Sequence, residues 1–166
     1  MKMIPENAQN LVSEQPAEPT APPLVTVLQS VAADLFTELH NYKNRHWHVN
    51  GPTFKPVHEF FDEGTALITG FLDEVGEYIV SFGAFVPSSL EECDSFSQIP
   101  RLQTGERDAA VLLQNGLENT KYLKQLFTEL SDIADAQREK GVSNLAEDCI
   151  MQLDKLIYKY QAYLGM

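Results

Sequence analysis

The stretch RHWHVNGPTFKPVHEFFDE, which runs from Arg45 to Glu63, decides how this chain is interpreted. It places three histidines, one aspartate and two glutamates around a Gly-Pro turn, beside a tryptophan and three phenylalanines. Apolar residues recur at steps of three or four before the turn and again after it, which is the periodicity of amphipathic helices. The stretch therefore predicts a helix, a turn and a second helix, with side chains that can bind metals gathered where the helices meet.

Two long helices are predicted on either side of this turn. The first begins at Leu24 and is stopped by Asn-Gly-Pro at residues 50–52, and the second runs from near Thr53 to about Phe82. The second helix carries a main apolar stripe and an additional one on a different side, which predicts contacts with its own bundle and with another chain. The additional stripe consists of Phe60, Leu67, Phe71 and Tyr78.

The rest of the chain predicts two more long helices and a short one. Residues 83–100 interrupt the pattern, but SSLEECDSF within them has the Ser cap and early glutamates of a short helix. Thr104 can cap a third long helix that ends at Gly141, and Ser143 can cap a fourth. The predicted fold is all-α, a ferritin-like four-helix bundle over residues 24–166 with a short extra helix between the second and third helices.

Residues 1–23 differ in composition from the rest of the chain. They hold five of the nine prolines and no apolar periodicity, so we expect a flexible tail, or a strap on a neighbouring chain. Their one lysine is opposed by Glu6, Glu14 and Glu18, whereas a tail that grasps DNA needs several basic residues. With a net charge of −12, the whole chain repels nucleic acid and attracts cations.

The composition indicates one globular domain without a disulfide framework. The chain has 166 residues, 43% of them hydrophobic, and no apolar run long enough to span a membrane. Its start, MKMIPENAQN, lacks the apolar segment of a secretory signal. Cys93 and Cys149 form no CxxC pattern, so they predict reduced thiols rather than a zinc site. Together these features predict a cytoplasmic protein with no membrane contact.

The second helix carries two pairs of side chains that can bind metals. His58 and Asp62 are four residues apart, as are Asp73 and Glu77, so each pair shares a face of the helix. Eleven residues separate the two aspartates, which is roughly 16 Å along a helix and far more than a metal–ligand bond. One copy of the helix therefore cannot bring both pairs to one ion. Each pair taken alone is more typical of a solvated surface than of a metal site.

Two antiparallel copies of the helix can unite the pairs. Across a two-fold axis, position 62 then faces position 73 and position 58 faces position 77, which builds two identical sites in a dimer. His46, at the end of the first helix, can approach from the side of His58. Two imidazoles and three carboxylates suit Fe(II), and could also admit zinc, manganese or cobalt. No Glu-x-x-His occurs, so a conventional site inside one bundle is not supported.

The residues around this candidate site resemble those of a known family. HWHVNGPTFKPVHEFFDE and DEVGEYIVSFGAFVP are similar to the pattern of Dps proteins, the mini-ferritin branch of the ferritin-like superfamily. The resemblance extends from about Leu24 to Leu164. It implies a ferroxidase centre with ligands from two subunits: His46, His58 and Asp62 from one, and Asp73 and Glu77 from its two-fold mate.

The resemblance also implies roles and partners that spacing alone does not. It makes Trp47 the aromatic residue that takes up a stray oxidising equivalent, and Glu59 and Glu63 the acids that seed an iron core inside a shell of twelve subunits, built from two-fold dimers. Fe(II) would be oxidised by hydrogen peroxide, or more slowly by dioxygen, and stored as Fe(III) mineral. This would protect the cell from oxidative damage.

The tail departs from the Dps members that coat DNA through lysine-rich tails. We therefore expect DNA binding to be weak or absent, and association with the nucleoid is not favoured. One alternative is nevertheless a nucleoid-packing protein with a weak or degenerate metal site. Another is a structural or secreted shell that binds no iron.

Overall fold

A computed structural model of the protein describes residues 24–166, and the predicted tail, residues 1–23, lies outside them. Within the described range the chain forms no strand, only an isolated bridge between Asn50 and Asp108. The four long helices form a bundle, with the short helix in the connection between the second and third long ones, so the predicted fold class is confirmed. The elements are α1 (Leu24–His48), α2 (Phe54–Ser81), α3 (Leu90–Phe96), α4 (Ala109–Ala136) and α5 (Lys140–Leu164).

The bundle is built from two helix pairs, because α1 packs mainly on α2 and α4 mainly on α5. The apolar stripes meet between the pairs, where Leu28, Leu35, Ile68 and Leu153 are fully buried. Each such side chain contributes about 1.5–3 kcal/mol when it leaves water. Among the described helices, none combines the length and apolar character needed to span a membrane.

The additional stripe of α2 packs inside the chain's own bundle. The Phe60 ring lies 4.8 Å from that of Tyr160 and 4.9 Å from that of Tyr163, both in α5. Phe71 contacts Phe127 of α4 at 5.7 Å, and Leu67 and Tyr78 also pack against the core. The chain's own bundle therefore covers much of this stripe, and the predicted contact of α2 with another chain stays a prediction. The stripe is apolar because α2 lies between α1 and the α4–α5 pair.

The third long helix begins later than predicted. Thr104 lies in a turn, and α4 begins after Asp108, whose carboxylate accepts a hydrogen bond from the backbone N–H of Val111 at 3.0 Å. Asp108 is also the residue bridged to Asn50, next to the α1–α2 turn. An aspartate is as good a cap as a threonine, so local sequence did not distinguish the two positions.

The turn between α4 and α5 also differs from prediction. α4 ends at Ala136, and the chain reverses through Arg138, which adopts a positive φ of 65°. Gly141 lies in the first turn of α5 and not at the end of α4, and Ser143 is buried within α5. The Tyr78 hydroxyl lies 2.6 Å from where a Cβ on residue 141 would be. Gly141 is therefore explained by close packing and not by helix termination.

A fully buried ion pair lies in the bundle core. Arg45 and Glu38, both from α1, have no exposed side-chain surface and approach to 2.7 Å. The guanidinium also donates to the side-chain oxygen of Asn115 at 2.8 Å, and Asn119 donates to Glu38 at 2.6 Å. Because each partner has hydrogen bonds beyond the pair itself, the desolvation of both charges is offset.

Two buried tyrosines lie next to this ion pair. The Tyr160 hydroxyl donates to that of Tyr42 at 2.9 Å, and the Arg45 guanidinium lies 5.1 Å from the centre of the Tyr42 ring. Burial, reinforced by the negative charge of Glu38, raises the pKa of Tyr42 to about 12. The Tyr42 ring also fills the space where a side chain on Gly64 would lie, which brings α1 and α2 close together.

The long connection is anchored to α1 by buried polar side chains. Asp34 accepts hydrogen bonds from the backbone N–H groups of Gln98 and Ile99, at 2.6 and 3.0 Å. Asn41 donates to the Pro100 oxygen at 3.0 Å. These contacts position the connection and leave the opposite side of α1 free to form the candidate site.

Candidate metal centre

Two histidines meet where the end of α1 packs beside the start of α2. The imidazole rings of His46 and His58 are stacked, with centroids 3.7 Å apart and an interplanar angle of 24°. Nδ1 of His46 lies 3.1 Å from the backbone oxygen of His58. Nδ1 of His58 lies 2.8 Å from the backbone oxygen of His46. Each imidazole is thus held by the main chain of the other histidine.

These reciprocal hydrogen bonds determine which ring nitrogen carries the proton. A carbonyl oxygen can only accept, so each Nδ1 must donate. In the neutral imidazole the second nitrogen, Nε2, is then unprotonated and able to bind a metal ion. Histidines that bind metals usually donate their other ring N–H to a carbonyl or carboxylate in this way. The histidine pair therefore fits a divalent metal ion.

Asp62 lies one helical turn beyond His58 on α2. Its Oδ1 is 4.0 Å from Nδ1 of His46 and 3.4 Å from Nζ of Lys43. The Asp62 side chain is 61% exposed and that of Lys43 is 38% exposed. Lys43 is not among the predicted site residues, although its place three residues before His46 puts it on the same side of α1. One carboxylate oxygen thus faces an imidazole and an ammonium group.

Two aromatic side chains border the histidine pair. The Phe54 ring packs against that of His58, with centroids 4.9 Å apart. Trp47 follows His46 in α1, and its side chain is 66% exposed. Phe54 is missing from the predicted site residues because its contact depends on how the turn folds. The proposed role of Trp47 in accepting oxidising equivalents remains a prediction.

Asp73 and Glu77 lie farther along α2, in a groove of about 880 Å³. Both are exposed, and within residues 24–166 neither carboxylate makes a hydrogen bond or an ion pair. Most of the groove surface around them is apolar, with side chains that include Phe36, Leu72, Val80 and Val86. The two carboxylates are therefore held at an open apolar surface and not at the histidine pair.

The structure thus brings together part of the predicted ligand set. His46, His58 and Asp62 are neighbours in one chain, whereas Asp73 lies roughly 16 Å beyond Asp62 along α2. In the part of the chain that the structure describes, no group of three or more His, Cys, Asp or Glu side chains is placed to hold a metal. The second half of the set would have to come from another chain, which remains a proposal.

Glu59 and Glu63, the predicted nucleation residues, lie on the exposed surface of α2. The Glu59 carboxylate is 3.8 Å from Nζ of Lys55, and the Glu63 carboxylate is 3.0 Å from Nζ of Lys159 on α5. Their side chains are 61% and 65% exposed, respectively. Both carboxylates can reach ions in solvent, and their role in seeding an iron core remains a prediction.

Comparison with known proteins identifies the family. The sequence profile of the ferritin-like domain matches residues 25–166. A relative from Helicobacter pylori, named DNA protection during starvation protein, is 28% identical over 138 residues, which is 83% of this chain and 94% of the relative.

Two solved structures share the fold. Antigen TpF1 from Treponema pallidum has a TM-score of 0.83 at 25% identity, over 90% of this chain and 100% of that chain. A Dps protein from Vibrio cholerae, described as a member of a broad superfamily of ferritin-like diiron-carboxylate proteins, has a TM-score of 0.82 at 23% identity, over 85% of this chain and 88% of that one. The second likeness concerns the fold alone. Together with the profile match, these findings confirm the resemblance to Dps proteins, and the chain belongs to the ferritin-like domain family.

Proposed function

We propose that this protein is a ferroxidase and an iron store, whose sites lie between two-fold-related subunits. The observation that carries the proposal is the reciprocal hydrogen bonding of His46 and His58, which leaves the Nε2 atom of each ring unprotonated and able to bind a metal ion. Asp62 is beside them and adds a carboxylate oxygen. In the proposed dimer, Asp73 and Glu77 of the mate complete the set.

The exposed face of α2 supports the proposed dimer. Ala66, Thr69 and Gly70, which lie between the two ligand pairs, are exposed and small, so a second α2 can approach closely there. The apolar groove beside Asp73 and Glu77 is large enough to receive apolar side chains from a mate. Burying this groove in an isologous contact would also bring the two open carboxylates to the mate's histidines.

The proposed reaction removes iron and peroxide together. Two Fe(II) ions, the substrate, each lose one electron. Hydrogen peroxide takes up both electrons and two protons, its O–O bond breaks, and two water molecules form. Because both electrons are delivered at one site, no hydroxyl radical is released. The imidazoles suit Fe(II), and the carboxylates favour the product Fe(III), whose charge is higher.

Storage and protection follow from the same proposal. Fe(III) would leave the site and hydrolyse inside a shell of twelve subunits, where Glu59 and Glu63 can bind the first ions. Trp47, exposed next to His46, is positioned to be oxidised in place of other molecules. We place the protein in the cytoplasm. A net charge of −12 favours chemical protection over DNA coating.

The ferroxidase test compares peroxide-driven iron oxidation in three proteins. Fe(II) is added anaerobically, peroxide follows, and the absorbance of Fe(III) is recorded by stopped flow. We expect His46→Ala/Asp62→Ala to lose at least tenfold in rate, since removing ligands weakens metal binding to this extent or more. His40→Ala, which removes an exposed histidine of the same helix, is the matched control. Equal rates in all three proteins would exclude this site.

Mixed assemblies test whether the site is shared between chains. Asp73→Asn/Glu77→Gln should be as inactive as His46→Ala/Asp62→Ala. Unfolding and reassembling the two variants together should restore about a quarter of the wild-type rate, because half of the random dimers then contain one intact site out of two. No recovery in well-formed mixed assemblies would contradict the shared site.

A further inference from the structure

We propose that Lys43 is a built-in cation that competes with the incoming divalent ion for Asp62 and so limits the affinity of the site. The inference rests on the proposed function, because it assigns Asp62 as a ligand. Nζ of Lys43 lies 3.4 Å from Oδ1 of Asp62, which is the oxygen that faces His46. A metal ion bound to this oxygen and the ammonium group would therefore occupy neighbouring positions.

The Lys43–Asp62 ion pair is exposed enough for a metal ion to replace the ammonium group. Its side chains are 38% and 61% exposed, so water solvates both charges and the pair contributes little to folding. A lysine ammonium is a compact charge on a flexible stem of four carbons, which can swing away when a stronger cation arrives. The Lys43 ammonium group therefore has the properties of a counter-ion that a metal can displace, and not those of a group that holds the fold together.

Lysines accompany three exposed carboxylates in the first half of α2. Asp62, Glu59 and Glu63 each lie within 4 Å of a lysine, from three different helices: Lys43 in α1, Lys55 in α2 and Lys159 in α5. This is notable in a chain with 24 acids and only 12 basic residues. Of the three lysines, Lys43 is the one whose carboxylate partner is also next to the histidine pair.

The electrostatic effect is large enough to measure. A single positive charge about 5 Å from a divalent ion weakens binding about tenfold at the dielectric constant of water, and by more if a second subunit covers the site. Removing the charge of Lys43 should therefore strengthen metal binding, although it also removes a contact of Asp62. A purely structural role predicts the opposite, because Asp62 would lose its support.

The experiment measures Zn(II) binding to the assembled full-length protein by isothermal titration calorimetry. Zn(II) is redox-inert, so the readout is independent of ferroxidase activity. We expect Lys43→Gln to bind Zn(II) about tenfold more tightly than wild type. Lys43→Arg, which keeps the charge, should stay close to wild type. Lys124→Gln is the matched control, because Lys124 is also 38% exposed and pairs with Asp154 on the α4–α5 side.

The outcomes separate this inference from the proposed function. If His46→Ala abolishes Zn(II) binding but Lys43→Gln leaves the affinity unchanged or weaker, the site exists and the competition is disproved. If neither wild type nor Lys43→Gln binds Zn(II) at the histidines, both proposals fail. Should Lys43→Gln be too unstable to assemble, Lys43→Met is measured in its place, and its tighter binding relative to Lys43→Arg gives the same decision.

Discussion

Lys43 and Arg45 are two residues apart in α1, and the ion pairs that they form have opposite surroundings. Arg45 and Glu38 approach to 2.7 Å with no exposed side-chain surface, and asparagines complete their hydrogen bonds. Lys43 and Asp62 are 3.4 Å apart, and both are open to solvent. The first pair is fixed by the bundle around it. The second pair can exchange its partners.

The difference separates stability from function along one helix. A buried charge cannot be given up by its partner without a large loss of free energy, so Arg45 and Glu38 belong to the fold. A solvated carboxylate can bind another cation at little cost to the fold, so Asp62 is available for chemistry. The charged side chains of α1 thus divide by side, with the fixed pair toward α4 and the exchangeable lysine toward α2.

The largest expected effect comes from breaking the buried pair. Arg45→Met should lower the free energy of unfolding by about 3–5 kcal/mol, because Glu38 would be left buried without a counter-charge. Urea unfolding followed by circular dichroism, at one protein concentration, measures the loss. The double variant Glu38→Met/Arg45→Met should recover part of it, since no unpaired charge remains. A single variant as stable as wild type would show that the core tolerates the lone glutamate.

Alkaline pH should weaken the same buried region by a smaller amount. The pKa of Tyr42 is raised to about 12, from an ordinary value of 10.0, chiefly by burial. The folded state therefore keeps a proton that the unfolded chain loses, and stability falls as pH rises from about 10 toward 12. By pH 11 the loss should be about 1 kcal/mol from this residue.

Burial also raises the pKa of Tyr160, which acts in the same direction. Urea midpoints at pH 9, 10 and 11 should show a flatter decline for Tyr42→Phe than for wild type. Tyr158→Phe, which removes an exposed hydroxyl of α5, should keep the wild-type profile. Parallel profiles for all three proteins would mean that Tyr42 does not titrate differently in the two states.

The smallest expected effect on stability is that of Lys43→Gln. Exposed ion pairs contribute about 0–1 kcal/mol, so its unfolding midpoint should stay near that of wild type while its metal affinity changes. The combination of unchanged stability and altered binding would sharpen the contrast with Arg45. A loss of several kcal/mol would instead show that the two ion pairs act alike, and that Lys43 also belongs to the fold.

Helical periodicity and the Asn-Gly-Pro turn were enough to predict α1 and α2. The apolar stripes were equally sufficient for the all-α bundle, and the Ser89 capping box predicted α3. These features are local, because each depends on residues within one or two helical turns. The pairing of His46 with His58 followed from the same local pattern, since both flank one short turn.

Features that depend on distant contacts could not be predicted in this way. Gly141 reads as a helix terminator until Tyr78, more than sixty residues earlier, is found packed against it. Local sequence gives no sign that Arg45 is buried, because Asn115, which accepts its hydrogen bond, and Asn119, which donates to its partner Glu38, lie on another helix. The extra apolar stripe of α2 could not be matched to α4 and α5, because the positions of those helices were unknown. Whether Asp73 and Glu77 join a mate's histidines depends, for the same reason, on contacts outside one chain.

The reciprocal hydrogen bonds of His46 and His58 have a consequence for evolution. Each ring is held by a backbone oxygen, and every amino acid at either position supplies one. Neighbouring side chains can therefore drift without removing the group that orients the rings, provided that the spacing between the two helices is kept. Selection for this chemistry would act on the small and apolar residues that set the distance between α1 and α2, such as Gly64, as strongly as on the histidines themselves.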